Sequence, residues 1–378
     1  AKNKDNSDMF APERSAIAMD IVRHVGDPIA IIIANTIEQA KNASELIDVD
    51  IQELPAVTSA SEAIKDDAPQ VWHNSKNNTC FDWEMGEKEK VDEAFEVAER
   101  VVEIELINNR IVPSSMETRG AIASYNIESN KYELRCSSQG VHSIRDKVSE
   151  LLNIEAKDLR VITNDVGGGF GMKLFNYPEY ICSLFAAKKI GRPVKWVSER
   201  TEAFLSDTHG RDHVTKAKMA LDKDGIFLGI KINTTANLGA YLSNFAIFVP
   251  TLAGTAMLAG CYKTPAIYVN VLGVFTNTPA IDAYRGAGRP EASYVIERLV
   301  DIAGMRTGLG PIEIRRRNLI PASAMPYKTA LNHTYDSGDF ISTMELAVED
   351  SDWKGFKQRA ASSLNNNKLR GIGLSTYI

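Results

Sequence analysis

Two glycine-rich stretches hold the residues of this chain best suited to chemistry. The first is Val166-Gly167-Gly168-Gly169-Phe170-Gly171-Met172-Lys173. Its glycines leave little side chain in the way of a bulky polar ligand. They also permit positive φ, so successive N–H groups can turn toward one acceptor. Phe170 sets a single aromatic wall in that bare loop. The second stretch, Ala283-Tyr284-Arg285-Gly286-Ala287-Gly288-Arg289, follows more than a hundred residues later. A helix is expected within a few residues of each loop. A helix N-terminus offers unpaired N–H groups and a partial positive charge, suited to phosphate or another oxyanion. Arg285 and Arg289 add guanidinium forks that bind phosphate oxygens in pairs. Two such loops can clasp opposite sides of one large anionic cofactor. They can equally be tight turns beneath a domain interface, and the residues alone leave both readings open.

The familiar nucleotide motifs do not fit. Neither loop has the G-x-x-x-x-G-K-[ST] order, and Gly167, Gly169 and Gly171 alternate rather than follow G-x-G-x-x-G. A third stretch, Arg110 to Gly120, precedes a strand and contains Met116-Glu117. A buried Glu117 can anchor a loop through backbone N–H groups, or it can act catalytically. Ser137-Ser138-Gln139-Gly140-Val141-His142 opens a helix, where Gln139 can cap or can reach a ligand. Cys80, Cys136, Cys182 and Cys261 lie far apart without a C-x-x-C pair, so no zinc-ribbon or iron–sulfur spacing is present. They read as free, mostly buried thiols of a reducing, cytoplasmic compartment. His209 and His213 have Gly210 between them and no H-E-x-x-H pattern, so no metal site is expected there.

These residues need elements to hold them. Leu159 to Thr163 reads as a strand leading into the first loop, and Tyr180 to Ile190 as an apolar helix after it, ended by Gly191-Arg192-Pro193. Pro290 to Met305 reads as a helix directly after the second loop. Ser143 to Leu152 reads as a helix with Ile144, Val148, Leu151 and Leu152 inward, and Lys88 to Ala98 as another with Val91, Ala94, Phe95 and Ala98 on one stripe. Strands are expected at 100–107, 121–125, 131–136 and 194–197, and several within 214–275, where Asp222 to Gly225 makes a hairpin turn. Upstream, Pro28 to Ala34 reads as a buried strand and Asp48 to Leu54 as a half-exposed one. Between them Thr36-Ile37-Glu38-Gln39 has capping-box spacing ahead of a helix. Thr58 to about Asn78 looks like a linker.

The bulk numbers bound the rest. A chain of 378 residues suggests two or three domains and can bury a large core. A net charge of −6 argues against a general nucleic-acid binder. No apolar run approaches the ~20 residues that span a bilayer. The first residues are polar, without a secretory signal. Gly371 to Ile378 reads as a strand just entered, from which a truncated chain or a split subunit is expected.

Taken in order, these segments resemble the molybdenum-binding large subunit of the xanthine dehydrogenase family, and most closely the aerobic-type carbon monoxide dehydrogenase large chain. The matching pieces are 25–30, 49–57, Met116-Glu117, Gln139-Gly140-Val141-His142, Asp165 to Lys173, Ala283 to Arg289, and Arg315-Arg316-Arg317-Asn318. The resemblance implies an α+β protein: a partial hammerhead-like α/β domain over 1–65, a first molybdopterin-binding domain of mixed sheets and helices over 78–340, and the start of a second over 345–378. It implies molybdenum held by molybdopterin, in bacterial members usually the cytosine dinucleotide form. It also implies hydroxylation of an electron-poor carbon with oxygen from water. Electrons would leave through a 2Fe-2S small subunit to an FAD-binding medium subunit, within a dimer of heterotrimers.

Residue by residue, Phe170 matches the aromatic beside molybdenum, and Gly168, Gly169 and Gly171 its loop. Gln139 matches the glutamine that approaches an oxo ligand. Arg285 and Gly286 match the loop on the other side of the metal. Gln139, Phe170 and Arg285 would then surround molybdenum without being direct ligands. Three departures narrow the substrate. Gly286 stands where a copper-binding Cys marks genuine carbon monoxide dehydrogenases. Ala287 stands where xanthine oxidases stack a Phe on the purine, and Leu174 where they place a Glu. An aldehyde or another N-heterocycle is the expected substrate. Asn109 replaces a Gln common in relatives. The family's catalytic glutamate would lie beyond Ile378, so the chain alone is expected to be inactive. The alternatives are a non-catalytic assembly or scaffold subunit and half of a split molybdenum enzyme.

Overall fold

The computed structural model describes residues 2–378; Ala1, in the polar start noted above, lies outside the described residues. Two sheets of unequal size organise the molecule. The larger has five strands in the order β1-β9-β8-β7-β2, formed by β1 (Thr79–Gly86), β2 (Arg100–Asn108), β7 (His213–Leu221), β8 (Phe227–Gly239) and β9 (Ala266–Phe275). Its pairings are antiparallel except β8 with β9. The smaller has the order β5-β4-β3-β6, from β3 (Gly120–Asn126), β4 (Lys131–Cys136), β5 (Leu159–Ile162) and β6 (Val194–Val197), with β4 and β5 parallel. A short pair, β10 (Tyr327–Lys328) with β11 (Thr334–Tyr335), lies near the C-terminal end.

Each sheet has a face buried under helices. On the larger, alternate residues of β7 (Ala217, Met219, Leu221) join Ile230, Ile232, Val269 and Val271. The period-2 alternation of a strand puts one such set on one face. Val295, Ile296, Leu299, Val300 and Ala303 of α7 (Arg289–Thr307) complete that core. Each such Val, Leu, Ile or Met side chain contributes about 1.5–3 kcal/mol on full burial. On the smaller sheet, Ala121, Ala123 and Leu134 pack with Ile144 and Val148 of α4 (Val141–Leu152) and with Tyr180 and Leu184 of α5 (Pro178–Ile190). Leu151, expected inward on α4, is 54% exposed. The other helices are α1 (Ile37–Ser44), α2 (Ala60–Ala63), α3 (Lys88–Glu96), α6 (Arg200–Ser206), α8 (Gly310–Asn318), α9 (Phe340–Asp350) and α10 (Phe356–Asn365).

Four expectations are corrected. Pro28–Ala34 and Asp48–Leu54 form no strand. Ile29, Ile31 and Ile33 stay about two-fifths exposed, as do Val49, Ile51 and Leu54 or more so, and no neighbouring strand pairs with them among the described residues. Thr36 does cap α1, its hydroxyl accepting from the Gln39 amide at 3.3 Å, but α1 buries no residue. Thr58–Asn78 is no spacer. Ala60 and Ala63 of α2 and Val71 sit in the main core with Val57, and the Trp72 indole donates to the Ala240 carbonyl at 2.8 Å. Gly371–Ile378 is not a strand either. It is tethered through Thr376, whose amide donates to Glu297 Oε2 at 2.9 Å.

The loops that matter lie where the two cores meet. The first leaves β5 of the small sheet; the second runs from the end of β9 of the large sheet into α7.

Candidate cofactor-binding site

The two glycine-rich loops touch. The Arg285 amide donates to the Phe170 carbonyl at 2.9 Å. Gly171 makes this possible. Its φ is +103°, and a Cβ there would lie 2.1 Å from the Ala283 carbonyl oxygen, so only glycine fits against the second loop. Each loop carries a run of left-handed backbone: Gly168, Phe170 and Gly171 in one, Gly286, Ala287 and Gly288 in the other. Phe170 and Ala287 hold positive φ without being glycine (+55° and +43°), a strain that concentrates at functional positions.

The first loop is tied down from both sides. Glu117 Oε2 accepts from the Gly167 amide at 2.8 Å and from Lys173 Nζ at 2.7 Å, and Lys173 also donates to the Glu117 carbonyl at 3.0 Å. The Lys173 side chain is fully buried while that of Glu117 is 41% exposed. Burial opposes the Glu117 charge, but Lys173 and the Gly167 amide outweigh it and hold its carboxyl below the ordinary glutamate value. Glu117 is therefore a loop anchor, one of the two roles left open for it. On the other side, Gln139 Oε1 accepts from the Gly171 amide at 2.8 Å, and the Gln139 amide donates to the Lys173 carbonyl at 3.1 Å. Gln139 does not cap α4, whose N-cap is Gly140. Its side-chain NH2 makes no hydrogen bond among the described residues.

The second loop is anchored at its start. Asp282 Oδ1 accepts from the Ala283 amide at 2.6 Å and the Phe245 amide at 3.2 Å. Burial pushes this carboxyl up to about 6, although those amides pull the other way. Its Oδ2 has no partner. Backbone bonds between His209 and the 280–282 segment lay the second loop along the chain at 209–213.

The residues singled out from sequence come together. Gln139, Phe170, Arg285 and Gly286 are exposed, on loops bonded to one another; Gly169 is buried, and Gly168 and Gly171 lie between these extremes. The Arg285 guanidinium lies 5.9 Å from the Phe170 ring centroid. Asn109 instead turns its amide to the Arg110 carbonyl at 3.2 Å. The open helix N-termini do not materialise. After the first loop comes one turn of 3-10 helix, and α5 begins only at the buried Pro178. At α7, Pro290 has no N–H and the Arg289 amide already donates to the Gly286 carbonyl at 3.2 Å. Anion binding here would fall to side chains and to loop amides. No group of three His, Cys, Asp or Glu among the described residues is arranged to hold a metal ion. The four cysteines are unpaired, three of them buried.

Sequence reasoning missed Lys173, Arg211 and Asp282. Each is a buried charge whose partner lies far along the chain or, for Asp282, whose partners are backbone amides, and no periodic signal marks such groups.

A mixed two-sheet fold with paired glycine loops at the junction defines a class, and comparison with known proteins agrees. Residues 71–319 match the family model of the molybdopterin cofactor-binding domain. Residues 1–55 match the a/b hammerhead domain of aldehyde oxidase and xanthine dehydrogenase. The chain belongs to this molybdopterin-binding family. It is 32% identical over 369 residues to the carbon monoxide dehydrogenase large chain of Hydrogenophaga pseudoflava, covering 92% of this chain and 46% of that one. It is 28% identical to the nicotine 6-hydroxylase large subunit of Paenarthrobacter nicotinovorans, covering 96% and 44%. Among solved structures, quinoline 2-oxidoreductase from Pseudomonas putida 86 superimposes with a TM-score of 0.88 at 31% identity, over 93% of this chain and 45% of that one. The chain spans about half the length of the curated relatives it matches. No helix among the described residues is long and apolar enough to cross a membrane.

Proposed function

We propose that the paired loops form one wall of the molybdopterin site of a molybdenum hydroxylase large subunit. The observation that carries this reading is the Arg285–Phe170 backbone bond, which joins the loops while Gln139, Phe170, Arg285 and Gly286 stay exposed. Such a surface fits a large, anionic, planar group. Gln139 keeps a free NH2 for an oxygen of the cofactor. Phe170 offers an apolar face that excludes water, and the guanidinium of Arg285 balances negative charge. Gly168, Gly169 and Gly171 bring backbone close to the group. Gln139, Phe170 and Arg285 would lie around the metal without being its ligands. When bound, the cofactor supplies a two-electron oxidation that adds a water-derived oxygen to the substrate carbon.

The finer reading follows the resemblance. The cofactor would be the cytosine dinucleotide form of molybdopterin. The partners would be an FAD-binding medium subunit and a 2Fe-2S small subunit, in a dimer of heterotrimers in the cytoplasm. The domain limits would be 1–65, 78–340 and 345–378. The substrate would be an aldehyde or an N-heterocycle. Gly286 supplies no thiolate for copper, which disfavours carbon monoxide. Nicotine and quinoline, in the names of two relatives, are both N-heterocycles.

The test is metal and pterin analysis of the full-length protein purified with its neighbouring subunits, followed by turnover of aldehydes and N-heterocycles. One molybdenum and one pterin per large subunit, with oxidation of at least one of these substrate classes, are expected. A well-folded complex lacking both would sink the reading and favour a scaffold subunit.

A further inference from the structure

We propose that Arg211 is the positioning residue of the second loop: it fixes the backbone on both sides of Arg285 and so sets where that residue stands against Phe170. This rests on the reading that the loop forms part of the cofactor site. Arg211 Nη1 donates to the Tyr284 carbonyl at 3.0 Å, and Nη2 to the Arg285 carbonyl at 2.8 Å. Two consecutive carbonyls are thereby held by two nitrogens of one planar fork, a fixed spacing that the single nitrogen of an ammonium does not reproduce. Nη1 also donates to Glu291 Oε1 at 2.9 Å. Glu291 lies in the first turn of α7, the helix that the loop begins. One side chain therefore ties the loop to its own helix. The guanidinium also lies 4.7 Å from the Tyr284 ring centroid.

Four further observations mark this contact as built rather than incidental. Arg211 is 7% exposed and Glu291 5%. Arg211 holds a left-handed backbone at φ +66°, uncommon for a long side chain. Gly210, next to it, packs so closely that a Cβ there would lie 2.4 Å from the Tyr284 Cβ. Glu291 Oε2 has no partner of its own, so Arg211 is the only side chain that satisfies this buried carboxylate among the described residues. The Tyr284 carbonyl held by Arg211 and the Arg285 amide that donates to Phe170 belong to one planar peptide unit, so fixing the first orients the second. Arg211 touches neither substrate nor cofactor on this account; it acts through Arg285 and Gly286.

The test uses the full-length protein and three variants: Arg211→Lys, Glu291→Gln and, as control, Arg315→Lys. Arg315 is also fully buried and paired, with Glu297 at 2.7 Å and Asp301 at 2.9 Å, but makes no bond to either loop. Hydrogen exchange of cofactor-free protein reads the loop directly. Arg211→Lys is expected to speed exchange of the Arg285 amide, and of the Ala287 amide that donates to the Tyr284 carbonyl at 2.7 Å, at least tenfold, and Glu291→Gln to speed it less. Arg315→Lys is expected to lower the melting temperature without that local change. In loaded enzyme, Arg211→Lys is expected to shift the molybdenum(V) paramagnetic resonance signal, and Arg315→Lys to leave it in place. Unchanged exchange in both Arg211→Lys and Glu291→Gln, or an equal rise in Arg315→Lys, would overturn the proposal. Should Arg211→Lys not fold, Glu291→Gln carries the comparison alone. Local loosening in a protein that proves to bind no molybdenum would leave the positioning role standing and reject the cofactor reading instead.

Discussion

The Gly171 α-carbon faces the Ala283 carbonyl so closely that a methyl group there would sit 2.1 Å from the oxygen. This contact sets the separation of the two loops. Through it, the end of a small-sheet strand connection meets the lead-in to α7, and the Arg285 amide finds the Phe170 carbonyl at 2.9 Å.

Gly171→Ala should therefore part the loops. The positive φ alone costs an L side chain about 1 kcal/mol, and the clash adds to it, for a loss of roughly 2–4 kcal/mol. Thermal unfolding checks stability, and metal content of the purified complex checks the site. Both should fall; near wild-type molybdenum content would show that loop spacing does not matter.

Phe170→Gly separates stability from function. Phe170 is 40% exposed and strained at φ +55°, so glycine relieves the backbone and removes little packing. Stability should stay within about 1 kcal/mol of wild type. Turnover of the loaded enzyme should fall at least tenfold, because the apolar face is gone. Equal turnover in steady-state assays would remove Phe170 from the site.

The Glu117–Lys173 pair predicts an asymmetry. Glu117→Ala leaves a fully buried ammonium with only a carbonyl partner, which should cost about 2–4 kcal/mol. Lys173→Met leaves a carboxylate that water can reach and should cost about 1–2 kcal/mol. Denaturant titration of both variants gives the order, and the reverse order would contradict the burial assignment.

How much of this was legible in the residues depends on the range of the interaction. β4 and β6 fall where alternation and turn residues put them, and α7 starts beside the second loop as Pro290 suggests. The Glu117 anchor was legible as one of two readings, because a buried carboxylate takes backbone N–H partners, but which loop it holds was not, since Gly167 and Lys173 lie 50 and 56 residues further on. Pro28–Ala34 misled because an apolar run signals burial but cannot supply the neighbouring strand that burial requires. Thr58–Asn78 misled in the opposite sense. Its polar composition hid Ala60, Ala63 and Val71, three small contacts that lock it into the main core. The Arg211 clamp was invisible, since its acceptors, two backbone carbonyls and the Glu291 carboxylate, lie more than seventy residues away.

Asp282 predicts a pH effect. Its carboxyl is raised to about 6 in the folded protein, so the unfolded chain ionises first as pH rises. The folded state is favoured by this group below the unfolded value near ~4 and loses that advantage as pH climbs through about 6, on the order of 3 kcal/mol in all. Asp282→Asn keeps a carbonyl for the Ala283 and Phe245 amides but cannot ionise. Its denaturation midpoint should gain on wild type between pH 4 and 7. Parallel curves across that range would show that Asp282 titrates normally.

The most direct measurement is an anomalous difference map, recorded at the molybdenum absorption edge, from crystals of the full-length complex. The account predicts one strong peak per large subunit, in the space bordered by Gln139, the Phe170 ring and the Arg285–Gly286 backbone. A peak elsewhere in the subunit, or no molybdenum in a fully assembled complex, would contradict it.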